Sequence, residues 1–173
     1  MTLKIAQRIA RGHPVVLTVV LLICFAVQFA VAVETVTPIA RGILMAAPIG
    51  AMCLWWWAIL VVARNSSGQP GSGRWDWLFA MPPLLALIAG LAAWSTENSP
   101  TAYALFALIF ILLTMSAKAL EKADASNGDP SVGRMLATFL LMYLSPVGVW
   151  VLRPKINRVT ERTRLVAQTQ PQT

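Results

Sequence analysis

Apolar residues in this chain come in long unbroken runs: Val15 to Val33, Ile43 to Ala63, Trp77 to Trp94 and Tyr103 to Leu120. A helix needs about 20 mostly apolar residues to cross roughly 30 Å of hydrocarbon, where unpaired backbone groups find no partner. The pattern therefore predicts an all-α integral membrane protein with four transmembrane helices. A fifth run, Met135 to Leu152, reaches spanning length only if it is read through Ser145-Pro146-Val147-Gly148. Pro146 removes a backbone donor and Gly148 loosens the chain, so Met135 to Leu144 makes a helix too short to cross and Val149 to Leu152 is free to turn back. This segment is expected to be re-entrant or interfacial, the alternative being a kinked fifth transmembrane helix.

The polar positions fill the gaps. All seven acids and nearly all the Lys and Arg lie between the apolar runs or at their ends. The longest connections, 65–74 and 121–134, are turn-rich and too short to hold a soluble domain. Residues 1–152 read as a single polytopic membrane domain and 153–173 as a basic cytoplasmic tail. Composition agrees, since 57% hydrophobic against 12% charged residues is far too apolar for a soluble domain.

Lys and Arg are retained on the cytoplasmic side of short loops, which orients the chain. Lys4, Arg8 and Arg11 place the N-terminus inside, and Arg64 with Arg74, then Lys118 with Lys122 and Arg134, mark the inner loops. If the broken segment does not cross, the tail is also inside, and thirteen of the fourteen basic residues share that side with only Arg41 opposite. If it crosses, the division is eight to six. The expectation is a multi-pass protein of the plasma (cell inner) membrane with both termini cytoplasmic. The N-terminal region has the order of a secretory signal, but its apolar run is long for one, and a retained first helix is the reading adopted.

The net charge of +7 follows from this topology. In the tail, Ile156, Val159, Thr163 and Val166 recur at helical spacing among Arg153, Lys155, Arg158, Arg162 and Arg164. Such a segment can lie on anionic lipid headgroups, each cation contributing about 1 kcal/mol, or remain a solvated tail. No aromatic residue follows Trp150 to stack a base, so nucleic acid is not an expected partner.

Small residues four apart suggest close helix packing: Ala26 with Ala30, Ala46 with Gly50, Ala86 with Gly90, and Ala89 with Ala93. These faces could meet within the chain, in a homo-oligomer or against another membrane protein. Trp55-Trp56-Trp57 fans over much of one helix, so at least one ring is expected to face lipid or a partner. Gln28 is the intramembrane polar residue to watch, and Pro48 and Pro82-Pro83 could bend their helices or free carbonyls.

Chemistry is sparse. His13 is the lone histidine, and Cys24 and Cys53 are the only cysteines, without the close pairing that thiol redox chemistry uses. No catalytic residue, cofactor or metal site is assigned. Glu121, Asp124 and Asp129 could hold Mg²⁺ beside a phosphate-bearing lipid, although a solvated turn explains them as well. The expected role is a non-enzymatic accessory or assembly subunit packing against a larger membrane complex through the second and third spans. A small oligomeric channel or carrier and a lipid-modifying enzyme are the alternatives.

Overall fold

A computed structural model describes residues 2–10, 12–31, 37–69, 73–92, 100–125 and 130–169, with the side chains of residues 2, 24, 25, 27–31, 101, 145 and 163–169 outside that description. Every regular element among the described residues is helical: α1 (Thr2–Ala10), α2 (Pro14–Val31), α3 (Pro38–Ser66), a 3₁₀ turn (Asp76–Ala80) leading into α4 (Met81–Leu91), α5 (Pro100–Asp124), α6 (Val132–Tyr143) and α7 (Ser145–Thr169).

The central element is α3. Thr37 caps its start, its hydroxyl oxygen accepting from the Ala40 amide at 3.4 Å, and Pro38 occupies the first turn, where a missing N–H costs nothing. At 1.5 Å per residue its 29 residues extend about 43 Å. It stops at Ser67, followed by Gly68 in the left-handed region at φ 70°. Helices α1, α2, α4, α5 and α7 all pack on it, and the run Ala58 to Ala63 is buried all the way round. That encirclement also divides the three tryptophans. Trp55 and Trp56 are buried, while Trp57 is half-buried and donates its indole N–H to Asp76. Two of the three rings therefore point into the bundle, while Trp57, beside the exposed Leu54, is the one left partly uncovered.

Among the described residues, two helices are long and apolar enough to cross a membrane, Pro38–Ser66 and Ala102–Asp124. Leu3–Ala10 and Pro14–Ile23 meet at 82° and provide a third if each bent pair is one span, whereas Asp76–Leu91 is a shorter apolar element. Length and composition therefore qualify two of the four expected spans. The outward residues of α2 (Val15, Val16, Val19, Val20) and α5 (Tyr103, Phe106, Phe110) are apolar, as a lipid-facing surface requires. The N-terminal residues form the amphipathic helix α1, which buries Ala6 and Ala10 against the core and exposes Lys4 and Arg8.

The small residues are used within the chain. Ala86 and Gly90 of α4 are buried against α3, and a Cβ added at Gly90 would lie 2.5 Å from the Gly42 Cα. Gly42, in the gap between the first two apolar runs, had read as a loop residue, yet it lets α4 approach α3 closely. Gly50 has only an ordinary 3.6 Å distance from its Cβ position to Pro83, Ala46 and Ala89 are half-buried, and Ala93 lies outside the described residues.

The chain reverses at Leu144, the C-cap of α6, whose amide bonds the Leu140 carbonyl at 2.9 Å. The reversal falls before Pro146, which occupies the first turn of α7 and so opens a helix instead of breaking one. Helix α7 then runs past position 153 to Thr169, so the apolar segment and the basic tail are one element. It returns along α6, with Gly148 against Leu141 and Lys155 beside Thr138. Val149, Leu152, Ile156 and Val159 are buried, so the apolar side expected to meet a leaflet packs against protein at these positions.

Candidate functional site

Helical spacing prepares a charged cluster. Glu121 and Asp124 stand three apart on α5, Arg134 and Thr138 four apart on α6, and Lys155, Arg158 and Arg162 at intervals of three and four on α7. Each set therefore shares one face of its helix. The sequence had placed Glu121 and Asp124 in a loop after Leu120. In the fold α5 continues to Asp124, because cations from two other helices receive the carboxylates before the helix ends.

Glu121 is fully buried. Its Oε1 accepts hydrogen bonds from the Thr138 hydroxyl and from the Lys155 ammonium, which also lies 3.4 Å from the Thr138 oxygen. The Arg134 guanidinium approaches Oε2 to 3.3 Å as an ion pair but outside hydrogen-bond geometry, so Oε2 accepts no hydrogen bond. Asp124 receives the Arg134 Nη2 at 2.8 Å, Arg158 at 3.5 Å and Lys155 at 4.0 Å. Arg162 donates to the Ala123 and Asp124 carbonyls at 3.1 and 3.4 Å, satisfying carbonyls at the last turn of α5 and placing positive charge where the helix dipole is negative. Two carboxylates thus face three cations, Arg134, Lys155 and Arg158, a fourth, Arg162, caps the end of α5, and three helices are tied by them.

Burying Glu121 without partners would cost several kcal/mol, so the pairs are the condition for its presence. Of the basic residues expected at a membrane surface, the structure brings Lys155 and Arg158 onto these acids and Arg162 onto the carbonyls beside them. Arg153 is half-buried and outside the cluster, and the Arg164 side chain lies outside the described residues. Asp129 is likewise outside them, and among the described residues no three acids, histidines or cysteines converge as metal ligands.

A second polar junction closes the start of α4. Asp76 accepts from Arg64 at 3.1 Å and from the Trp57 indole at 3.3 Å, beside a cavity of about 380 Å³ lined by Leu54, Trp57, Phe79 and Pro83. Neutral polar groups join helices too. The Ser116 hydroxyl donates to the Leu112 carbonyl at 2.9 Å and reaches the Trp56 carbonyl of α3 at 3.3 Å. The Trp150 indole donates to Thr18 at 2.9 Å, and the Thr18 hydroxyl lies 3.5 Å from the Pro146 carbonyl. Pro48 is buried within α3 while Thr114 faces a groove between α5 and α6, and the Gln28 side chain lies outside the described residues. Cys53 is a free, buried thiol, and the Cys24 side chain lies outside the description.

An all-helical protein with two helices able to cross a bilayer is suited to membrane association. No protein-family model, curated protein or solved structure matches the chain.

Proposed function

We propose that this chain is a multi-pass protein of the plasma (cell inner) membrane that acts without catalysis, as an accessory or assembly subunit seated against a larger membrane complex. The observation that carries this reading is the closure of the charged cluster. Glu121 and Asp124 face Lys155, Arg134 and Arg158 of the same chain, so the strongest ionic groups are spent in holding α5, α6 and α7 together. Such an arrangement suits a scaffold.

In this reading α2, α3, the Asp76–Leu91 segment and α5 cross, and the hairpin of α6 and α7 inserts from the inner side and returns. Two observations support that topology. Thr18 stands about 6 Å along α2 from Pro14, so its bonds to Pro146 and Trp150 pin the tip of the hairpin one turn into the first span. Keeping the tail inside also leaves thirteen of fourteen basic residues on one side. Since Ala86 and Gly90 are engaged by α3, the partner surface is assigned to the outer half of α5, where Tyr103 and Phe106 stand exposed three apart.

Native mass spectrometry after extraction in a gentle detergent tests the role. The expected result is a larger polypeptide retained at fixed stoichiometry and lost in Phe106→Ala. Recovery of a homo-oligomer without any other polypeptide would contradict it and favour a channel or carrier.

A further inference from the structure

We propose that the groove between α5 and α6 holds one acyl chain of an anionic phospholipid, with the lipid phosphate at Lys118. The groove has a volume of about 320 Å³ and is lined by Phe110, Ala117, Lys118, Met135, Leu136 and Phe139. Its walls are apolar. The one hydroxyl along it, on Thr114, donates to the Phe110 carbonyl of its own helix at 2.8 Å and is therefore already satisfied. Phe110 and Phe139, with ring centroids 4.9 Å apart, stand at one end, and Lys118 lies eight residues further along α5, about 12 Å away.

Charge selects the kind of occupant. Arg134, Lys155, Arg158 and Arg162 all engage Glu121, Asp124 or the carbonyls at the end of α5. Among the described residues Lys118, and Lys122 one turn beyond it, have no acidic partner. An unpaired cation at the mouth of an apolar groove on a lipid-facing surface calls for an amphiphile with a negative head. An extended acyl chain is slender enough to lie along the roughly 12 Å between the phenylalanine pair and Lys118. The volume is also within the range of about 300–1,000 Å³ typical of small-molecule sites.

The test uses the purified full-length chain, so it does not depend on any partner subunit. Phosphatidylglycerol and phosphatidylcholine are titrated separately into the detergent-solubilised protein, and retained lipid is read by native mass spectrometry. The wild-type chain is expected to retain one phosphatidylglycerol in preference to phosphatidylcholine. Lys118→Gln should weaken that retention about fivefold, in line with the loss of one cation near an anionic group, and leave phosphatidylcholine unchanged. Thr114→Trp, a substitution at an exposed position, should fill the groove and remove retention of both lipids while the melting temperature stays at the wild-type value. The proposal is overturned if the wild type shows no preference for phosphatidylglycerol, or if both variants retain it as the wild type does. It is equally overturned if a photo-crosslinker at position 114, used in native membranes, captures a polypeptide in place of lipid.

Discussion

Replacing Glu121 with leucine is expected to destabilise the folded protein by about 3–5 kcal/mol, the loss that follows when one partner of a buried ion pair is removed. The magnitude comes from what is left behind. The Lys155 side chain is 17% exposed, and without Glu121 its ammonium keeps only Asp124 at 4.0 Å and the Thr138 hydroxyl. Lys155→Met should cost less, because Arg134 still stands 3.3 Å from Glu121 and Thr138 still donates to it. The double variant Glu121→Leu, Lys155→Met should recover most of the single-variant loss, since an apolar pair of similar volume removes the desolvation cost together with the attraction. Reversible unfolding in mixed micelles reads all three. Additive losses in the double variant would show that the two residues act separately and that the cluster is not what joins α5 to α7.

The second large effect is expected at Gly148. A Cβ at this position would overlap the Leu141 carbonyl oxygen, a backbone atom that cannot rotate aside as a side chain could. Gly148→Ala must therefore open the hairpin or shift α6. The expected cost lies at the upper end of the roughly 1–3 kcal/mol seen for overpacked interiors, or above it. Gly50→Ala is the control, because its added Cβ meets only Pro83 at 3.6 Å, an ordinary contact. Thermal unfolding monitored by circular dichroism should show a strongly lowered transition for the first and little change for the second. Equal transitions would mean that α6 and α7 do not pack closely at Leu141.

How much of this was legible in the sequence differs from element to element. The helical class and the apolar runs follow from hydropathy, because lipid permits few other solutions. The reversal near Ser145-Pro146 was visible as a break, but not its form. Proline was taken to end a helix, whereas in the first turn it begins one. The charged cluster was written in the spacing of Glu121 with Asp124 and of Lys155 with Arg158 and Arg162, yet those groups lie more than 30 residues apart. Periodicity shows which residues share a face, and only the tertiary fold shows which faces meet. Gly42 was missed for a local reason. Arg41 beside it suggested a loop, although Thr37-Pro38 carries the capping signal that starts α3 before it. The amphipathic character of α1 was likewise readable from Leu3, Ala6, Ile9 and Ala10, but its basic residues drew attention to orientation alone.

The central claim is that the charged cluster holds a hairpin on the inner side of the membrane and so keeps both termini on that side. The most direct measurement is a pair of fusions after Thr173, one to a fluorescent protein that matures only in the cytoplasm and one to a phosphatase active only beyond it. The account predicts fluorescence and no phosphatase activity. Phosphatase activity without fluorescence would mean that the chain crosses once more between Met135 and Leu152, and the hairpin would have to be abandoned.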